Sequence, residues 1–158
     1  MGQRPTFNLN RPSTASRILL FGGLLYFIDL FFPWNKLCIA GHCGPSLNGW
    51  HGIGILNGIL VILILVMEIL MLADVEVTIG TPVSRALVET GLAGGLLLFT
   101  IIRMIIRPSG FLVFHYSVAW GAWLGLVLAI VVAYGGYMRW QEAMVTTPPP
   151  PSAGGFAP

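Results

Sequence analysis

Cys38 and Cys43 are the only cysteines of the chain, separated by four residues. Two thiols so close together have three uses. In an oxidising compartment they close a disulfide, which is the expected state here. Cycling between thiol and disulfide, they could instead pass electrons to a quinone. Kept reduced, they could join His42, His51 and His115 around zinc, although no spacing of a known zinc site is present. The histidines are read as interfacial residues bonding loop carbonyls, and no metal is expected. There is no Ser-His-Asp set in register, no phosphate-cradling glycine loop and no H-E-x-x-H motif. Catalysis is therefore not expected.

Ionisable residues inside apolar stretches are the second chemical signal, because a charge in hydrocarbon is costly without a partner. Asp29 and Arg103 stand at similar depth near the ends of two such stretches, which predicts an Asp29–Arg103 ion pair. Glu68 and Glu89 lie toward the opposite ends. Glu68–Arg85 is the expected contact there, leaving Glu89 to pair with Arg17 or Arg139 or to stay protonated. The main expectation is charge-satisfied helix packing. The alternative is a small-solute or proton transporter using Glu68 and Glu89 with Asp29. That path is incomplete, since no residue between Asp29 and Glu68 is expected to relay a proton.

Four apolar stretches must position these residues, at about 17–33, 53–73, 83–106 and 111–138. A helix needs about 20 apolar residues to cross a hydrocarbon core of ~30 Å. Residues of the set AVILMFWYC make up 56% of the chain and charged residues 9%, with a mean hydropathy of +0.83. The expected fold is all-α, a transmembrane four-helix bundle over residues 17–140. A flexible cytoplasmic arm over 1–16 precedes it and a disordered Pro/Gly-rich tail over 141–158 follows. The remaining residues cannot build a soluble catalytic head, and a net charge of +2 offers nothing to nucleic acid.

Arg4, Arg11 and Arg17 before the first stretch suggest a signal peptide, but Phe31-Phe32-Pro33-Trp34 follows where a peptidase needs small residues. The stretch is read as an uncleaved anchor. Arg4, Arg11, Arg17, Arg85 and Arg139 outweigh Lys36, Arg103 and Arg107, which puts both termini in the cytoplasm of a multi-pass plasma-membrane protein.

Pro33 should stop the first helix, Thr81-Pro82 should open the third, and Arg107-Pro108-Ser109-Gly110 should form a tight outer turn. Pro148 to Pro151 should be extended, either as a linker or as a ligand for an aromatic groove. Gly54 and Gly58, Gly91 and Gly95, and Gly121 and Gly125 stand four apart in separate helices, a spacing that permits close helix contact in lipid. Trp34, Trp50, Tyr116, Trp120, Trp123, Tyr137 and Trp140 cluster near span ends as an interfacial belt.

Three features carry a resemblance: Phe31-Phe32-Pro33-Trp34, then Asn48-Gly49-Trp50, then Gly121-Ala122-Trp123-Leu124-Gly125-Leu126 with Gly135-Gly136-Tyr137. Together they resemble small four-helix membrane proteins of the actinobacterial type, whose function is largely unassigned. The resemblance implies the four-helix topology and brings no activity or site residues with it. Cysteines in the first outer loop are also broadly similar to those of bacterial disulfide-forming membrane oxidoreductases. Those proteins use C-x-x-C and a second pair, both missing here. The expected function is an accessory or scaffolding subunit of a membrane assembly, without enzyme activity. Its partners are the lipid bilayer and another membrane protein or a second copy. A thiol–quinone redox protein using Cys38 and Cys43 is a further alternative. No motif calls for a cofactor, and the sequence leaves haem, pigment and quinone open.

Overall fold

A computed structural model describes residues 13–39, 42–73, 85–106 and 114–146. Helices α1 (Thr14–Asp29), α2 (Gly54–Leu72), α3 (Arg85–Ile105) and α4 (Trp120–Thr146) alternate with strands β1 (Pro33–Ile39), β2 (His42–Asn48) and β3 (Phe114–Val118). The Ser13 hydroxyl accepts the Ser16 N–H at 3.3 Å and starts α1, as N-cap serines do. The helix ends where the N–H groups of Leu30, Phe31 and Phe32 tighten onto the carbonyls of Tyr26, Ile28 and Asp29. Pro33 has no N–H with which to continue. Entry into α2 is turned by Gly52 at φ 61°, a left-handed conformation that glycine adopts without strain.

Each helix packs on its neighbours in sequence, and α4 closes the ring against α1. Helices α2, α3 and α4 are long and apolar enough to cross a membrane. Helix α1 rises only about 24 Å at 1.5 Å per residue. Burial is inverted relative to a water-soluble protein. Phe21, Leu25, Ile55, Leu87, Leu98, Val127 and Ile130 are exposed, whereas Ala15, Ala93, Ala122 and Ala129 are buried with Asp29, Asn57, Glu68, Glu89, Thr100, Arg103 and Arg139. Such a surface would be a liability in water. In lipid it costs nothing, and small buried residues let backbones approach. The chain is built for a bilayer.

Aromatic placement on α4 agrees with that solvent. Trp120 and Trp123 near one end and Tyr137 and Trp140 near the other are exposed. The axial rise from Trp123 to Trp140 is about 26 Å, close to a hydrocarbon thickness of ~30 Å. Trp34 departs from the expected belt: it is 1% exposed and belongs to the core.

The sheet departs from the all-α expectation. Its order is β2-β1-β3, antiparallel throughout. Residues 114–118, expected inside the fourth span, form β3, so α4 begins at Trp120 and continues to Thr146. Apolarity alone does not separate a short buried strand from a helical segment. Phe114-His115-Tyr116-Ser117-Val118 is rich in aromatic and β-branched residues, which favour strands, and β1 supplies a partner. The Ala119 N–H then donates to the Trp34 carbonyl at 2.9 Å, continuing the pairing up to α4. Helix α1 begins at Thr14, within the segment assigned to the arm. Residues 1–12, the Thr81-Pro82 cap, the Arg107–Gly110 turn and the proline run lie outside the described residues.

Candidate functional site

The polar side chains of the bundle gather in two layers. The first lies beneath the sheet, where the end of α1, the start of α2 and the end of α3 meet. Trp34 on β1 is its centre. The indole Nε1–H donates to the Asp29 carbonyl at 3.0 Å, and the ring stands edge-on to Tyr26. The Arg103 guanidinium sits 4.5 Å from the ring centroid, within cation–π range. Arg103 also donates to the Gly49 carbonyl and to the Asn48 carbonyl at 3.1 Å. Gly49 in turn donates its N–H to the Leu30 carbonyl at 2.7 Å. A Cβ at Gly49 would come within 2.6 Å of the Leu30 Cα, so this bridge between α1 and α3 requires glycine.

The expected Asp29–Arg103 ion pair does not form. Arg103 is satisfied by carbonyls and an aromatic face, and both carboxyl oxygens of Asp29 are buried without a hydrogen-bond partner among the described residues. Asp29 Oδ2 faces Gly125 instead, 2.7 Å from where a Cβ would stand. Matching depth put the two residues at one end of the bundle, but Trp34 and the Gly49 turn take the positions around the guanidinium.

One turn deeper, Tyr26, Asn57 and Thr100 join α1, α2 and α3. The Tyr26 and Thr100 hydroxyls are 2.7 Å apart, and the Asn57 amide donates to both, at 2.9 and 3.2 Å. Thr100 also lies 2.7 Å from the Leu96 carbonyl of its own helix. Sequence reasoning passed over this trio. Tyr26 and Thr100 each precede a charged residue by three positions, Asp29 and Arg103, so they share its helix face. That spacing was the available signal.

Below the trio the core is apolar: Leu19, Val61, Ile64, Ala93, Leu96, Ala129 and Val132. The second polar layer lies beyond it, near the helix ends that carry Ser13 and Arg139. From Asn57 to Glu68 the α2 axis rises about 16 Å. Arg139 is the hub of this layer. Its guanidinium meets Glu89 at 3.0 Å, Glu142 at 3.6 Å and Glu68 at 3.9 Å. It also donates to the Ser13 hydroxyl at 3.2 Å and to the Met71 sulfur. Arg85 pairs with Glu89 at 2.8 Å and donates to the Met67 carbonyl.

The expected Glu68–Arg85 contact is thus replaced. Arg85 stands one turn before Glu89 on α3, and this local i,i+4 pair wins over a contact across helices. Glu89 takes Arg139 as its second partner, and Glu68 is left with Arg139 at longer range and no hydrogen bond to either oxygen.

The six packing glycines divide by environment. A Cβ at Gly54 would strike Arg103 and the Gly49 carbonyl, one at Gly58 the Trp50 ring, one at Gly121 the Pro33 carbonyl and one at Gly125 Trp34. Gly91 has open space around it and Gly95 meets only Leu60 at 3.9 Å. The β1–β2 register sets Cys38 opposite Cys43, and the β1–β3 register sets Cys38 opposite His115. The side chains of His42, Cys43, His115 and Tyr116 lie outside what the structure describes. His51 bonds the Asn48 side chain at 2.8 Å. Among the described residues no group of three His, Cys, Asp or Glu is placed to hold a metal ion. Comparison with known proteins finds no matching family model, no similar curated protein and no similar solved structure.

Proposed function

We propose that this chain is a non-catalytic plasma-membrane subunit that scaffolds a membrane assembly, with both termini in the cytoplasm and the sheet outside. One observation carries the reading. On the exposed side of α3 a Cβ at Gly91 or Gly94 would meet nothing within 4 Å, while Leu87 and Leu98 stand exposed on the same helix. Packing within the chain leaves this notch unfilled, and in lipid such a notch lets a second helix approach to backbone distance. The partner is a transmembrane helix, from a second copy or from another membrane protein. Scaffolding is favoured over transport because, among the described residues, the core between the two polar layers offers only apolar side chains along roughly 16 Å of helix rise.

In mild detergent or lipid discs the full chain should run above its monomer mass of 17.1 kDa. Gly91→Leu with Gly94→Leu should release monomer without moving the melting temperature, because both positions point away from the bundle. An assembly that survives both substitutions, or a wild type that is monomeric in lipid, removes the proposal.

The hairpin supports a Cys38–Cys43 cystine as part of the same reading. Opposed residues in an antiparallel pair have Cα atoms about 4.5–5.5 Å apart, inside the range a disulfide spans. Maleimide should label neither thiol of unreduced protein in intact cells and both after reductant. Labelling without reductant would exclude the cystine.

A further inference from the structure

We infer that the pocket beside Arg103 binds the phosphate of an anionic phospholipid headgroup. The pocket encloses about 210 Å³ and lies between the start of α2, the end of α3 and the hairpin. Its polar wall is Arg103, Asn35 and His51, and Leu47, Ile53 and Ile106 supply an apolar wall. Arg103 is only 8% exposed and faces no carboxylate among the described residues.

Charge placement along the chain explains why. Of the six acidic residues, Asp74 and Glu76 fall between α2 and α3 in the sequence, outside the described residues. Glu68, Glu89 and Glu142 belong to the Arg139 layer. Asp29 does not reach the guanidinium. Carbonyl acceptors and an indole face hold the Arg103 cation in place but do not neutralise it, so a buried positive charge lines an open pocket.

The free N–H groups of Arg103 suit an oxyanion. Arg103 uses two of its nitrogens for the Asn48 and Gly49 carbonyls, and a guanidinium has five N–H donors in a planar fork suited to phosphate. Asn48 Oδ1 accepts the Trp50 N–H at 3.2 Å, so it is the amide oxygen, and His51 Nδ1 at 2.8 Å is its donor. With the proton on Nδ1, Nε2 of the neutral ring is an acceptor, so the donors for a phosphate come from the Arg103 guanidinium. The pocket also opens at the positive end of the α2 dipole, whose first turn carries no acidic residue. The apolar wall favours a lipid over a soluble ion. Ile105 and Ile106 are exposed beside it, where the first methylenes of an acyl chain would lie, at the depth marked by Trp120 and Trp123. None of this depends on the chain having a protein partner.

The test is native mass spectrometry of the delipidated full chain, titrated separately with phosphatidylglycerol, phosphatidylcholine and inorganic phosphate. Phosphatidylglycerol should bind one per chain, about tenfold more tightly than phosphatidylcholine, a difference of roughly 1.4 kcal/mol. Arg103→Gln should lose that preference. Leu47→Trp, which fills the pocket and leaves the Arg103 clamps intact, should lose it as well, so a folding defect in the first variant does not decide the matter. Inorganic phosphate should neither bind nor displace the lipid. Saturable binding of phosphate alone, abolished by Leu47→Trp, would overturn the lipid assignment in favour of a soluble oxyanion. Equal retention of the two lipids, or unaltered binding by Leu47→Trp, would overturn the site.

Discussion

Arg139→Gln should lower folding stability by about 3–5 kcal/mol, the scale for removing one partner of a buried ion pair, read as a fall in the denaturation midpoint in detergent. The cost comes from what the arginine leaves behind. Among the described residues, Glu89 would keep only the half-buried Arg85, and Glu68 would lose the one cation within 4 Å of it. The Ser13 hydroxyl and the Met71 sulfur would lose their donor at the same time, so α1, α2, α3 and α4 all lose a tie at one end. Glu89→Gln in the Arg139→Gln background should recover part of the loss, since one stranded charge is then gone, and a double-mutant cycle measures that coupling. A single variant that melts within about 0.5 kcal/mol of wild type, the range of ordinary surface changes, would show that the layer is not a clamp.

Trp34→Ala should be comparably severe, about 3–5 kcal/mol for truncating a large buried aromatic side chain. Its indole fills the space beneath the sheet, contacts Gly125, stands edge-on to Tyr26 and carries the Arg103 cation on its face. Trp34→Phe should cost less, because it keeps much of the packing and loses the Nε1 bond to the Asp29 carbonyl, worth about 0.5–1.5 kcal/mol. The comparison, again by denaturation midpoint, separates volume from hydrogen bonding. Equal losses in the two variants would mean that the indole N–H, rather than the ring, holds this end together.

The helices and the solvent they require were legible because both follow from apolar runs of sufficient length. Pro33 announced the end of α1 for a reason that needs no tertiary context: it lacks an N–H. The strands were not legible, because Phe114–Val118 is apolar enough to extend a span and acquires strand character only once β1 lies beside it. The ion pairs show the same limit. Depth along a helix can be counted from the sequence, and it set Asp29 with Arg103, Glu68 with Arg85, and Glu89 with Arg17 or Arg139. Rotation about the helix cannot be counted so simply, and it decided which neighbours each charge met. The trio of Tyr26, Asn57 and Thr100 went unnoticed because none of the three is charged, although each sits one turn below a more conspicuous position.

Strand β1 lies between the first and second helices, whereas its partner β3 immediately precedes the fourth. During synthesis β1 and its hairpin leave the ribosome while most of the chain is still unmade. The β1 edge that β3 will take therefore stays open until α3 and then β3 have been made. An open edge is a site for pairing with other chains, so an incomplete chain carries a mark that the finished one lacks. Closure of this small cap is thus a late step of biogenesis, one that waits for three of the four helices.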